Sequence, residues 1–218
     1  MQNKTQNKKG FFISLEGIEG TGKTTQARLL ADKLIKQNFE VLLTQEPGGT
    51  VIGNRIREVL LLPEHDEMSF AAELLLYNAD RAQHLTEKIL PAMNKGMIVI
   101  TDRFSDSTVA YQGYGRGIDL GLISAIDTIA TNNTRPDLTL LFDLDIETGL
   151  ARNRDINKVD RLELETIEFH KRVREGFKEI AKKEPQRIKT IDASLPADQV
   201  HIMAWEFVSA EMRKKDML

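Results

Sequence analysis

Eight consecutive residues, Gly17-Ile18-Glu19-Gly20-Thr21-Gly22-Lys23-Thr24, constrain this chain more than any other stretch. They follow the apolar run Phe11-Phe12-Ile13-Ser14-Leu15 and lead into Ala27, Leu30, Ala31, Leu34 and Ile35, so a strand is expected to turn through a glycine loop into an amphipathic helix. Glycines let such a loop close until successive backbone N–H groups face one concavity, and the helix start adds unpaired donors and the positive end of its dipole. That is a cradle for phosphates. Lys23 would reach the outer phosphates as a point charge, and the Thr24 hydroxyl would ligate the Mg²⁺ that a nucleoside triphosphate carries. The expected phosphate contacts are Gly17, Ile18, Glu19, Gly20, Thr21, Gly22, Lys23, Thr24 and Thr25. A carboxylate at Glu19 repels phosphate, so it is expected to turn outward, toward a sugar hydroxyl or a metal's water.

The rest of the chain alternates strand and helix, which predicts a doubly wound α/β fold with a parallel sheet. Val41-Leu42-Leu43-Thr44 reads as a buried strand ending in the turn-rich Gln45-Glu46-Pro47-Gly48-Gly49-Thr50, and Met97-Ile98-Val99-Ile100-Thr101 as another ending in Asp102-Arg103-Phe104. In a parallel sheet these carboxyl ends share an edge with the glycine loop. Asp102 could therefore orient Mg²⁺ through water, and Arg103 could grip a phosphate with two N–H groups. Between the strands lie a helix with Ile52, Ile56, Val59 and Leu60 on one face, and a longer one from about Ser69 to Met93. Tyr77 and Arg81 are one turn apart on the latter. Such a pair can hold a planar heterocycle by stacking and hydrogen bonding, although a core tyrosine beside a solvated arginine is the plainer reading of that helix alone.

Gly113, Gly115 and Gly117 read as a flexible crossing before a helix from about Asp119 to Thr131. Leu138-Thr139-Leu140-Leu141-Phe142 and Arg187 to Ile191 are the fourth and fifth strands, with a short helix around Thr148 to Arg152 and a helix carrying Phe169, Val173, Phe177 and Ile180 between them. A closing helix presents the stripe Val200, Met203, Ala204, Phe207 and Val208. Residues 1–10 read as a polar tail and 11–218 as one domain, with no apolar segment long enough for a membrane span. A net charge of −3 argues against general nucleic-acid binding, and the absence of cysteine excludes thiolate metal sites and thiol catalysis. These features suit a cytoplasmic protein. The four histidines, His65, His84, His170 and His201, stand at no metal-ligand spacing and are read as solvated or core side chains.

If the acceptor is itself a phosphate, two anions must be brought into line, and cations have to converge on them. Lys23, Arg57 and Arg103 cover one side, and the charged run from Arg152 to Arg161 reads as a lid that supplies the rest and excludes water.

Taken together, Gly17 to Thr24, Glu46-Pro47-Gly48-Gly49-Thr50, Leu74-Leu75-Leu76-Tyr77 running to Asp80-Arg81, Asp102-Arg103-Phe104, Tyr111-Gln112-Gly113 with Gly115-Arg116-Gly117, and Asp160-Arg161 resemble the bacterial thymidylate kinases over nearly the whole chain. The resemblance implies a P-loop NTPase fold of the nucleoside monophosphate kinase type, with a five-stranded sheet and a mobile lid at about 152–161. It also implies transfer of a phosphoryl group from ATP to dTMP with Mg²⁺, and a homodimer. By matching positions, Arg57 and Arg103 would hold the dTMP phosphate, Tyr77 would stack on thymine, Arg81 would bond its carbonyl, Glu19 would take the 3′-hydroxyl and Tyr111 would lie against the sugar. Glu46, Pro47, Ser107 and Thr108 complete the implied substrate site, Lys23, Asp102, Arg103 and Arg154 the implied catalytic set, and Thr24 and Asp102 the metal ligands. Four positions depart from the family pattern. Tyr77 replaces the more usual phenylalanine, Gln45 stands where an arginine often precedes the Glu-Pro-Gly-Gly loop, and Gly20 stands where some relatives carry an arginine. Ile156 takes the place of a lid arginine, so Arg152, Arg154 and Lys158 compete for that role, with Arg154 favoured. Two other functions share the glycine loop: a deoxynucleoside kinase, and an ATP-hydrolysing switch.

Overall fold

The computed structural model describes residues 10–154 and 160–218, with the side chains of residues 153 and 154 also outside the description. Five parallel strands form one sheet in the order β2-β3-β1-β4-β5: β1 (Phe11–Glu16), β2 (Val41–Gln45), β3 (Ile98–Asp102), β4 (Leu138–Asp143) and β5 (Ile188–Asp192). The strand apolar runs are nearly continuous because helices cover both faces. On β1, Phe11, Ile13 and Leu15 pack on one side with Leu30 and Leu34 of α1 (Lys23–Lys36) and with Val208 and Met212 of the C-terminal helix. Phe12 points the other way, into Leu85, Ile89 and Phe104. This is the two-residue alternation of a pleated strand.

The intervening helices are α2 (Val51–Leu61), α3 (Phe70–His84), α4 (Leu90–Asn94), α5 (Ser105–Thr108), α6 (Leu120–Thr131), α7 (Ile146–Arg154), α8 (Ile167–Lys183) and α9 (Ala197–Lys214). Thr50, Ser69, Asp119 and Thr166 each cap the helix that follows by accepting from a backbone N–H of its first turn. The long helix expected from Ser69 to Met93 is α3 and α4 joined by a π-turn, Leu85–Ile89. Pro91 has no N–H to continue the regular ladder, and the π-turn absorbs the break. Around α7 the helix is longer than expected, because Asp145 Oδ1 accepts from Thr148 N at 2.8 Å and starts it early.

Two expectations are corrected. The segment with Gly113 and Gly115 is no flexible crossing: Val109–Gly115 forms a second π-turn continuing α5, with both glycines buried. A Cβ on Gly113 would come within 2.6 Å of Leu120, and one on Gly115 within 2.7 Å of Phe169, so these glycines permit close packing. Only Gly117, at φ 78°, makes a turn. On α2, Leu60 is buried but Ile52 and Val59 are 54% and 41% exposed, so most of its apolar face lies open in the single chain.

Candidate active site

Three loops meet at the carboxyl edge of the sheet because β1, β2 and β3 are neighbours in register, with Asp102 opposite both Leu15 and Gln45. Such an edge is where open parallel sheets place ligands. The cavity there has a volume of about 350 Å³. Its walls include Glu19, Gly20, Gly22, Lys23, Thr24 and Thr25 from the glycine loop, Glu46, Pro47 and Arg57 from the second loop and α2, Tyr77 and Arg81 from α3, and Asp102, Arg103, Ser107, Thr108 and Tyr111 after β3. Gly17, Ile18 and Thr21 form the back of the loop rather than the cavity wall. There Thr21 Oγ1 donates to Ile18 O, and Gly17 O accepts from Lys23 and Arg103.

Lys23 Nζ folds back against the loop backbone, 2.6 Å from Ile18 O and 3.0 Å from Gly17 O. Burial, with the Arg103 charge beside it, lowers its ammonium to about 8. Thr24 Oγ1 donates to Asp102 Oδ2 at 2.6 Å. These two hard oxygens suit Mg²⁺, which Thr24 and Asp102 would hold beside the cradle.

Arg103 is the hub. Its backbone takes the left-handed conformation at φ 74°, which swings the side chain across the cavity. Nη1 donates to Gly17 O at 2.9 Å and Ser107 Oγ at 3.1 Å, while Nη2 donates to Glu19 Oε1 at 2.8 Å and Tyr111 Oη at 3.1 Å. Tyr111 Oη in turn donates to Glu19 Oε1 at 2.6 Å. Burial alone would push the Glu19 carboxyl up, but Arg103 and Lys23 outweigh it and hold Glu19 below the usual range. Glu19 therefore lines the cavity as a carboxylate, with its Oε1 held by Arg103 and Tyr111.

Arg57 Nη1 donates to Pro47 O at 2.7 Å. Arg81 is almost wholly buried, with Nε on Glu46 Oε2 (2.9 Å), Nη1 on Thr108 Oγ1 (2.8 Å) and Nη2 on Phe104 O (3.1 Å). These contacts use three of the five N–H groups of its planar fork. Burial, then the neighbouring Glu73 and Asp160 charges, keeps the Tyr77 phenol neutral.

The lid arginines divide. Arg161 is buried and turned away from the phosphates: it donates to Glu73 and to Leu60 O, and its backbone N–H bonds Leu61 O. Glu73 also accepts from Gln112 and Arg116, so Arg161 anchors the chain returning from the expected lid. Arg152 Nη1 donates to Ala193 O at 3.0 Å. The Arg154 side chain, Ile156 and Lys158 lie outside the described residues.

Several contributors were missed from the sequence. His84 lies between Glu46 Oε1 (2.9 Å) and Thr44 Oγ1 (2.7 Å), and Asp80 Oδ1 accepts from Gly48 N at 2.9 Å. Burial, then Glu46, raises the Asp80 carboxyl to about 7. Their spacing with Tyr77 and Arg81 on one helix was the available signal. Asp160 also lines the cavity, and burial and then Glu19 raise its carboxyl.

A glycine-loop cradle for one set of phosphates, opening on a compartment lined by Arg57, Arg81 and Arg103, the Tyr77 ring and the Glu19 carboxylate, defines a P-loop kinase of the nucleoside monophosphate class. A family model described as "Thymidylate kinase" matches residues 15–204. A thymidylate kinase of Syntrophotalea carbinolica is 48% identical over 201 residues, covering 89% of this chain and 93% of the relative. One from Carboxydothermus hydrogenoformans is 49% identical over 198 residues, covering 91% and 95%. The crystal structure of thymidylate kinase from Ehrlichia chaffeensis superposes with a TM-score of 0.76 at 36% identity, covering 92% of this chain and 99% of that one. The chain belongs to the thymidylate kinase family, whose enzymes move the γ-phosphoryl group of ATP to dTMP with Mg²⁺.

Proposed function

We propose that this chain phosphorylates dTMP with ATP by the following division of labour. ATP lies in the glycine loop with Lys23 reaching its outer phosphates. Arg103 and Arg57, which approach the cavity from β3 and α2, grip the dTMP phosphate. Tyr77 stacks on the base, the remaining donors of Arg81 and the Thr108 hydroxyl read its polar edge, and Glu19 with Tyr111 takes the sugar. ATP carries roughly four negative charges and dTMP close to two, so catalysis consists largely of bringing these anions into line and neutralising them. Bound Mg²⁺ would screen the charge on the ATP phosphates at Thr24 and Asp102.

One observation carries the reading: Tyr77 and Arg81 face the same cavity as Lys23, and Arg57 and Arg103 line it with them. An ADP-release assay across nucleotides tests it. dTMP is expected to exceed AMP, CMP and GMP by orders of magnitude in kcat/KM, and equal rates would refute the reading. Thymidine accepted as well as dTMP would indicate a deoxynucleoside kinase, and equal ATP turnover without acceptor a hydrolysing switch. No helix among the described residues is long and apolar enough to cross a membrane, which accords with work in the cytoplasm. Exposed apolar side chains on α2, α3 and α6 support a homodimer through those helices.

A further inference from the structure

We propose that Glu16, whose carboxyl group is sealed beneath the cavity floor, is a positioning residue that aims Arg103 at the acceptor phosphate through Ser107 and the backbone of Phe104. Glu16 ends the central strand β1 and is fully buried. Its Oε1 accepts from Phe104 N at 2.7 Å and its Oε2 from Ser107 Oγ at 2.6 Å. Ser107 Oγ is also the acceptor for Arg103 Nη1, at 3.1 Å. Both oxygens of one buried side chain are thus committed to the turn that carries Arg103, at two residues that follow it.

That turn needs holding. Arg103 sits at φ 74°, a region that L side chains rarely adopt and that surroundings must enforce. The enforcing contacts are Arg103 N to Leu15 O (2.9 Å), Thr101 Oγ1 to Arg103 O (2.9 Å) and the two Glu16 contacts just beyond. Of these, only the Glu16 relay reaches the guanidinium itself. The nearby acid Asp106 is already clamped by Arg187, with Nη1 on Oδ2 at 2.7 Å and Nη2 on Oδ1 at 2.8 Å, so it does not compete for the turn. Glu16 is followed directly by Gly17, whose carbonyl receives both Arg103 and Lys23, so one residue sits where the donor cradle and the acceptor clamp join.

This inference rests on Arg103 gripping the acceptor phosphate, and the experiment separates the two claims. kcat and the KM values for dTMP and ATP are measured for Glu16→Ala, Glu16→Gln, Ser107→Ala, Arg103→Ala and the doubles with Arg103→Ala. Glu16→Ala is expected to lower kcat/KM for dTMP about tenfold or more while KM for ATP moves less than about threefold. Glu16→Gln, which keeps an acceptor for Phe104 N and a polar partner for Ser107, restores most of the loss. In the Arg103→Ala background the Glu16→Ala loss shrinks to within about twofold, because the group it acts through is gone. Losses that multiply across the cycle overturn the proposal, as does a Ser107→Ala enzyme with unchanged kcat and dTMP KM. If Glu16→Ala does not fold, the Ser107→Ala cycle carries the same two outcomes. Near-normal turnover of Arg103→Ala instead refutes the reading of Arg103 on which the proposal stands.

Discussion

Lys23 shows how a site residue is tuned before substrate arrives. Its ammonium is desolvated, faces the Arg103 charge and bonds only neutral oxygens, which is why it sits at about 8 rather than in the ordinary lysine range. As pH rises through that value the empty enzyme loses the positive charge that ATP needs. Bound phosphates oppose the loss, so the proton stays on to higher pH in the complex. kcat/KM for ATP, which reports the free enzyme, is therefore expected to fall above about pH 8, and kcat to fall later. Coincident alkaline limbs in the two profiles would count against this assignment. Lys23 was legible in the sequence because its spacing from Gly17 and Gly22 encodes its role. Glu16 was not, since a lone acid ending an apolar strand carries no periodic signal and its partners lie about ninety residues away.

At the scale of elements, the start of α7 is pressed against the glycine loop. A Cβ on Gly20 would stand 2.1 Å from Gly149 O, and one on Gly149 would stand 2.7 Å from Glu19 O. This contact explains why a side chain at position 20 is excluded here, a departure from the family pattern that the sequence showed without its cause. Gly149→Val should push α7 off the loop. An overpacked contact of this kind costs about 1–3 kcal/mol, and a lower melting temperature with a raised ATP KM is the expected result. An unchanged ATP KM would show that the loop does not depend on α7. Helix α3 works differently: Tyr77, Asp80, Arg81 and His84 share its inner side, Tyr77 and Arg81 facing the cavity while Arg81, Asp80 and His84 brace Glu46, Gly48 and Thr44. Periodicity located that helix, but only its docking decided which polar residues brace a loop and which line the cavity. The π-turn at Val109–Gly115 had no counterpart in the pattern, because glycines that permit close packing look the same in sequence as glycines that loosen a chain.

At the scale of the whole molecule, the feature left unsatisfied is a surface. Val51 and Ile129 are 80% and 83% exposed, on α2 and α6, and Phe70 and Leu75 of the adjoining α3 are about half exposed. Apolar side chains grouped on three packed helices mark an interaction face, and a second copy is the proposed occupant. Sedimentation of the native chain is expected to give a dimer. The Leu75→Asp/Ile129→Asp double variant should sediment as a folded monomer, whereas a native monomer, or a double variant that stays dimeric, would exclude this face.

The sequence by itself determined the alternation of strand and helix and the phosphate cradle, because periodicity and glycine-loop spacing are local properties of the chain, and the family resemblance of its motifs pointed to most of the other cavity-lining residues. Only the tertiary structure decided that Arg161 anchors on Glu73, that Lys23 folds back onto the glycine-loop carbonyls, and that Glu16 shares Ser107 with Arg103. Each of those depends on which charges share a buried space, and burial is settled by how distant segments pack.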